Sequence, residues 1–378
     1  MYQLAPLSRK ELSKITKLTP AAITNITSEL IDEGYLCETG MTSNGKTPGR
    51  REMLLDIDPN KKKIISFHIG RKKMSCGLSN AKGIISKKTE FQIESLTMQE
   101  TIGLMISYVN HVKSDRSIVG IGIGINGFVD FQTGRIKRRV NQSWDGAYIG
   151  KIIEQKTSIP TIIDNNVRTM VLAEKFFGYA KNLKNVLFLY VDQGVGAGLV
   201  IEGTPYSIGD MEIGHISINL HGEKCWCGNQ GCVELYTNED YILSESQRLV
   251  PEVFQDGSVT INKLAKYKSI PELEPLFKSV GTALGVAIIN VLKILSIEQV
   301  IGCGNILENK LVWELLQETI RERYTFANEE PKISKSFFED DIGVKGAASL
   351  GIYHFIIKQE NNSIEPGRLR NESHLLGY

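Results

Sequence analysis

Glu212-Ile-Gly-His215, Cys225-Trp-Cys227 and Cys232-Val-Glu234 concentrate more potential chemistry than any other stretch of the chain. Nine residues separate His215 from Cys225, and three of the six cysteines fall within eight positions. Three thiolates and one imidazole make the closed tetrahedral donor set that structural Zn²⁺ prefers. Gly228 and Gly231 permit the tight turn that returns Cys232 toward Cys225 and Cys227. Glu212 and Glu234 bracket the set without being needed as ligands, so both carboxylates are free to face a small molecule. Unconnected thiols are the bland alternative, and C-x-C-x₄-C with a histidine upstream argues against it.

The elements that must position this cluster belong to a chain of 378 residues, long enough for two or three domains. A net charge of +1 supplies no global field toward nucleic acid, so any such contact must be local. No apolar run approaches membrane-spanning length, and Met1-Tyr-Gln-Leu-Ala-Pro-Leu7 is no signal peptide. Cys37, Cys76 and Cys303 are isolated and suggest no disulfide framework. The expectation is a soluble, cytoplasmic protein.

Residues 8–15 open with Ser8 as an N-cap and Glu11 at its third helical position, and Leu12 and Ile15 then share a face. A second helix opens at Thr19 with Pro20 in its first position. Ile23, Ile26 and Leu30 repeat at helical spacing, Ile31 widens the stripe and Gly34 ends it. Two short helices joined by a tight turn predict a helix-turn-helix. Its outer face carries Thr19, Ala21, Thr24, Asn25 and Ser28, small side chains able to enter a major groove, where asparagine pairs with adenine. Residues 35–55 alternate around a glycine-rich tip holding Lys46, Arg50 and Arg51, a hairpin suited to a narrow minor groove. The plainer reading is a small helical domain with a solvated basic hairpin.

The pattern E-x-G-H…C-x-C-G-x-x-G-C-x-E resembles the signature of the ROK family (repressors, open reading frames, kinases), and nearly the whole chain takes part. The resemblance implies an α/β, actin-like (ribonuclease-H-like) two-lobed sugar-binding fold behind an N-terminal winged helix-turn-helix. The expected divisions are 1–58 for the winged helix, 59–165 plus 350–378 for the first lobe, and 166–349 for the second. Ser8-Arg9-Lys-Glu-Leu12 and the glycine–arginine wing also resemble the amino terminus of the family's repressors. Those repressors usually carry a further helix before this segment, and seven residues precede Ser8 here. The expectation is a minimal winged helix or a start site set too late.

Family kinases keep a D-x-G-G-T phosphate loop where this chain has His68-Ile-Gly70-Arg71-Lys72. The acid, the second glycine and the hydroxyl are replaced, and an arginine fills space the phosphates need. Ile163-Asp164-Asn165-Asn166 aligns with the kinase E-N-D-x-N motif, whose aspartate takes the proton of the accepting hydroxyl. Asn166 stands at that base; an amide cannot accept the proton, and losing a positioned base costs roughly 10²–10⁴ in rate. Asp192-Gln193-Gly194-Val-Gly196-Ala-Gly198 resembles the second phosphate loop with Gln193 replacing its hydroxyl. Asn141-Gln-Ser-Trp144 matches the family's N-x-x-W, which implies Asn141 on sugar hydroxyls and Trp144 shielding one side of the pocket.

The sugar set therefore comprises Asn141, Asn165, Asn166, Glu212, His215 and Glu234, and the zinc set His215, Cys225, Cys227 and Cys232. Arg71, Lys72, Arg139 and Arg168 raise the prospect of an anionic effector such as a sugar phosphate, against a solvated basic edge as the simpler account. The sequence reads as a non-catalytic, sugar-responsive repressor that binds operator DNA as a homodimer or tetramer. An ATP-dependent sugar kinase and a repressor controlled by a protein partner are the alternatives.

Overall fold

The computed structural model describes residues 2, 4–41, 52–138, 144–206, 211–255, 259–266, 270–325, 331–338 and 341–358. Lys46, Arg50, Arg51, Arg139 and Asn141 lie outside them.

Ser8 closes strand β1 (Leu7–Ser8) and caps helix α1 (Arg9–Thr16): its hydroxyl accepts from the Glu11 N–H while the Glu11 carboxylate takes the Ser8 N–H. Lys17 ends α1 in the left-handed region at φ 60°. Thr19 then caps helix α2 (Pro20–Asp32), whose first position suits Pro20 because no N–H is needed there. Strands β2 (Leu36–Met41) and β3 (Met53–Ile57) pair antiparallel, and β1 joins the free side of β3. Leu12, Ile23 and Leu55 form the core of this unit. Ile15 and Ile26 do not share it; they remain 53% and 42% exposed. Thr27 takes the inward place, its hydroxyl satisfied by the Ile23 carbonyl. Leu7 and Ile31 pack against this core partly buried, so the stripe on α2 runs through Ile23, Thr27 and Ile31 and leaves Ile26 outside.

An antiparallel meander, β4 (Lys63–Ile69), β5 (Lys73–Asn80) and β6 (Ile85–Gln92), begins the first lobe. Helix α3 (Met98–Val112) leads to β7 (Ile118–Ile125), which lies parallel to β4. A hairpin of β8 (Phe128–Asp130) and β9 (Arg135–Arg138) and helix α4 (Ile149–Thr157) precede β10 (Thr161–Asn165), parallel to β7. The sheet order is β10-β7-β4-β5-β6, and α5 (Asn166–Phe177) follows. Trp144 is 2% exposed, clustered with Ile136, Ile149 and Ile153. This corrects the expectation that it shields a ligand: the chain from β9 to α4 buries the indole in the lobe's own core.

The second lobe repeats the plan. Its meander is β11 (Val186–Val191), β12 (Val195–Ile201) and β13 (Thr204–Pro205). Helices α6 (Glu239–Leu249), α7 (Ile261–Lys266) and α8 (Glu274–Leu292) come before β14 (Gln299–Cys303). Helix α9 (Lys310–Arg323) and β15 (Lys332–Lys335) complete it. Strands β14 and β15 add in parallel, so the order β13-β12-β11-β14-β15 duplicates that of the first sheet. Two sheets of one topology, each backed by helices, make the actin-like α/β fold. The stretch Pro271–Leu292 is long and apolar enough to cross a membrane, yet Leu276, Phe277, Val280, Leu284 and Ile288 are buried in the core of this lobe.

Helix α10 (Ile342–Ile352) ties the parts together. A Cβ at Gly122 of β7 would run into the carbonyl oxygen of Ala347, so only glycine lets α10 lie this close to the sheet. At the far end of α10, Ile352 clusters with Ile57, Ile64 and Ala81, against which Tyr2 and Tyr35 pack. Lys82 to Asp56 (2.6 Å) and the Tyr2 hydroxyl to the Ala81 carbonyl (2.8 Å) fasten the N-terminal unit to the first lobe.

Candidate functional site

The lobes face each other across a cavity of about 1190 Å³. Asn126 and Gly127 after β7, Asn165 and Asn166 at the β10–α5 junction, and Glu212, His215, Trp226 and Glu234 from the second lobe line one half. His68, Arg71, Lys72, Asp192, Gln193 and the Gly302–Asn305 turn line the other.

A pair of 3₁₀ turns, Ile213–His215 and Val233–Tyr236, hold the ends of the cysteine loop. Gly228 (φ 94°) and Gly231 (φ 67°) turn it in the region that favours glycine. Bridges from Ser217 to Cys232 and from Lys224 to Gln230 are its ladder contacts among the described residues. The four ligand atoms of His215, Cys225, Cys227 and Cys232 lie within 4.8 Å of one another. Cys225 Sγ is 3.5 Å from His215 Nδ1, and Cys227 Sγ is 3.7 Å from Cys232 Sγ. Tetrahedral zinc geometry asks for about 3.6 Å between sulfur and nitrogen and about 3.8 Å between sulfurs. The donors fit. His215 also faces the cavity, because Nδ1 turns to the thiols and leaves Nε2 4.0 Å from Glu212 Oε2.

Glu234 lies two positions after Cys232, and its Oε2 accepts the Val195 N–H at 2.9 Å. Asn165 is spent on positioning. Its Oδ1 caps α5 through the Val167 and Arg168 N–H groups, and its Nδ2 donates to the Gly127 carbonyl at 2.9 Å. Asn166, 4% exposed, sits at the first position of α5 on the cavity wall.

The cationic residues are already paired. Arg168 is 8% exposed and ion-paired with the buried Asp164, and it donates to the Val129 carbonyl at 2.8 Å. Arg71 reaches Asp240 across the cavity mouth at 2.7 Å, and Lys72 lies 3.5 Å from Glu239. Burial lowers the His68 pKa to about 4, and the neutral ring packs where a Cβ on Gly343 would clash with it. His68 on β4 and Arg71 and Lys72 in the β4–β5 turn line this part of the cavity.

Asp192 stands in the turn between β11 and β12, on the cavity wall. Burial first, and then the neighbouring Glu239, raise its pKa to about 6 despite hydrogen bonds from Tyr190 and Asn305. The neutral acid is favoured in the folded state. This contribution to stability is complete below the unfolded pKa near 3.9 and is lost as pH rises through 6, by on the order of 2–3 kcal/mol. Asp192→Asn should flatten the dependence. Urea unfolding of both proteins between pH 4 and 8 checks this, and parallel pH curves would contradict it.

On α2, Thr19, Ala21, Thr24, Asn25 and Ser28 are all exposed. The Thr19 hydroxyl accepts the Ala22 N–H and that of Thr24 donates to the Pro20 carbonyl, which leaves Asn25 and Ser28 as the outward polar groups. Sequence reasoning gave no role to Phe128 or Trp226, which the fold brings to the cavity. Trp226 carried a usable signal, since a large aromatic between two metal-ligand cysteines is held wherever the loop puts it.

A model of the ROK family matches residues 64–353. The xylose repressor of Caldicellulosiruptor bescii is 28% identical over 375 residues, covering 92% of each chain. A solved ROK family transcriptional regulator, a homologue of the E. coli MLC protein, superposes with TM-score 0.78 at 25% identity and covers 93% of each chain. Such coverage cannot be reached without part of the first 58 residues. A ROK glucokinase from Streptomyces griseus, solved with glucose and AMPPNP, covers 76% of this chain and 98% of its own, with TM-score 0.68 at 21% identity.

Proposed function

The chain belongs to the ROK family, and from that membership we propose that it is a sugar-responsive, DNA-binding transcription repressor whose cleft binds its effector without phosphorylating it. The observation that carries the reading is the cavity wall itself. Glu212, His215 and Glu234 are gathered for hydroxyl recognition, while an amide, Asn166, stands at the catalytic base. Carboxylates and an imidazole accept and donate to vicinal hydroxyls. Proton removal has no residue to serve it at Asn166, and Arg71 and Lys72 pair with acids rather than awaiting phosphates.

Zn²⁺ on His215, Cys225, Cys227 and Cys232 is structural in this reading: four protein donors leave no open position, and the ion fixes the loop between Glu212 and Glu234. The pairing of Arg168 with Asp164 favours a neutral sugar over a sugar phosphate. Xylose is the first candidate, because a relative matching over nearly the whole chain is a xylose repressor. Asn25 and Ser28 on α2, with Lys46, Arg50 and Arg51 from the sequence between β2 and β3, contact operator DNA in the cytoplasm. A homodimer presents two such units to a pseudo-palindromic site. Helix α10 supplies a link, since Ile342 and Gly343 line the cavity and Ile352 packs with the N-terminal unit. Ligand acts only through its differential affinity for two lobe arrangements.

The test is DNA selection from a random pool, followed by anisotropy of the selected duplex with D-xylose or D-glucose, alongside a coupled ATP assay. Selection of one motif, a sugar-dependent change in affinity and no ATP turnover are expected. Turnover that disappears in Glu212→Gln would replace this reading with the kinase. DNA binding with no saturable sugar binding would point to a protein partner as the signal.

A further inference from the structure

Phe128 and Trp226 meet across the cavity mouth, and nothing in the zinc loop or in the polar site requires them to. Phe128 opens β8 in the first lobe, immediately after Asn126 and Gly127. Trp226 lies between two zinc ligands of the second lobe. Their ring centroids are 6.1 Å apart with planes at 81°, and the indole stands at 88° to the His215 imidazole with centroids 4.8 Å apart. Edge-to-face arrangements of this kind are the attractive ones. Trp226 remains 37% exposed, and both rings line the cavity beside Glu212 and Glu234.

A monosaccharide has a polar rim of hydroxyls and an apolar face of C–H bonds. Glu212, His215, Glu234 and Asn166 answer the rim. The apolar face needs a surface of another kind, and large apolar rings with a few fixed polar groups are what small-molecule sites use. Trp226 suits the task because its backbone is fixed on both sides by cysteines that a metal would hold, so ordering the ring on binding costs little. An unheld tryptophan on a loop would have to be ordered at binding.

We propose that Phe128 and Trp226 form an aromatic clasp that packs on the C–H face of the effector and joins the two lobes around it. The clasp rests on the sugar-sensor reading and adds the residues that position the ligand. It also predicts a signal. Trp226 is one of three tryptophans; Trp144 is sealed in the first core, and Trp313 packs against the second. Effector binding should therefore change the emission of Trp226 above all.

Wild-type protein, Trp226→Ala, Trp226→Phe and Phe128→Ala, each checked for zinc content, are titrated with D-xylose and D-glucose by calorimetry and by intrinsic fluorescence. The half-saturating sugar concentration should rise roughly three- to tenfold or more in Trp226→Ala and Phe128→Ala, a loss of the size of one aromatic contact. Trp226→Phe should recover most of the affinity and lose the fluorescence change. Zinc content equal to wild type in all variants separates the clasp from loop unfolding. Unchanged half-saturation in both alanine variants, with the wild type responding, overturns the clasp and leaves the sensor reading intact. No binding of either sugar by the wild type removes the sugar-sensor reading and the clasp with it.

Discussion

Serine in place of Cys232 is expected to strip the chain of zinc and silence the effector response while leaving operator binding in place. Two donor pairs, Cys225 with His215 and Cys227 with Cys232, stand at tetrahedral spacing, and all four donors lie within 4.8 Å of one another, close enough to hold the ion. Local hydrogen bonds also shape the loop, among them the Cys225 N–H to the Asn229 carbonyl, the Gly231 N–H to the Glu223 carbonyl and the Ser217 hydroxyl to the Gln230 carbonyl. The loop has two short 3₁₀ turns and two isolated bridges, one of which is made by Cys232 itself. Outer-shell changes at zinc sites cost 10–100-fold in affinity, and a lost thiolate ligand should exceed roughly 100-fold. Glu212 and Glu234 flank the loop and would lose their common frame. The α1–α2 unit packs on the first lobe, through Tyr2, Ile57 and Asp56, and needs no contact with the zinc loop. Metal analysis of the purified variant, paired with anisotropy on the selected duplex, reads both effects. One zinc per chain and a normal sugar response in Cys232→Ser would reject the metal assignment.

Glu234→Gln should be nearly as damaging to the sugar response, for a different reason. One carboxylate oxygen accepts the Val195 N–H, which fixes the group against β12, and the other is left for a ligand hydroxyl on the cavity wall. A hydrogen bond to an ionised group contributes about 1.5–3 kcal/mol, so removing the charge should weaken D-xylose binding by roughly 10- to 150-fold. Glutamine keeps an oxygen for Val195, which preserves the local fold and zinc content. Calorimetry gives the affinity and metal analysis the control. Wild-type affinity in both Glu234→Gln and Glu212→Gln would show that the sugar lies elsewhere.

Much of this protein is written locally. The C-x-C-x₄-C spacing with its histidine marks a loop able to hold a metal, because chelation depends on donors a few residues apart and on the glycines between them. The Ser8/Glu11 capping box and the Thr19–Pro20 start are likewise short-range devices, and α1 and α2 begin where those residues direct. The tertiary structure decided which groups remain available. Arg168 looks like an anion-binding residue until β10 and α5 set it on Asp164 four positions earlier, where burial of both groups at the strand–helix junction makes the pair internal. Arg71 finds Asp240 from 169 positions away, and only the closure of one lobe on the other brings them together. Trp144 and Trp226 are equal as letters, yet the packing of α4 buries the first and the zinc loop carries the second to the cavity mouth. Caps, turns and chelating spacings are short-range and can be read from neighbours in the chain. Burial is set by how sheets, helices and lobes pack, and cross-cleft contact joins residues the sequence keeps far apart, so neither can be read from neighbours alone.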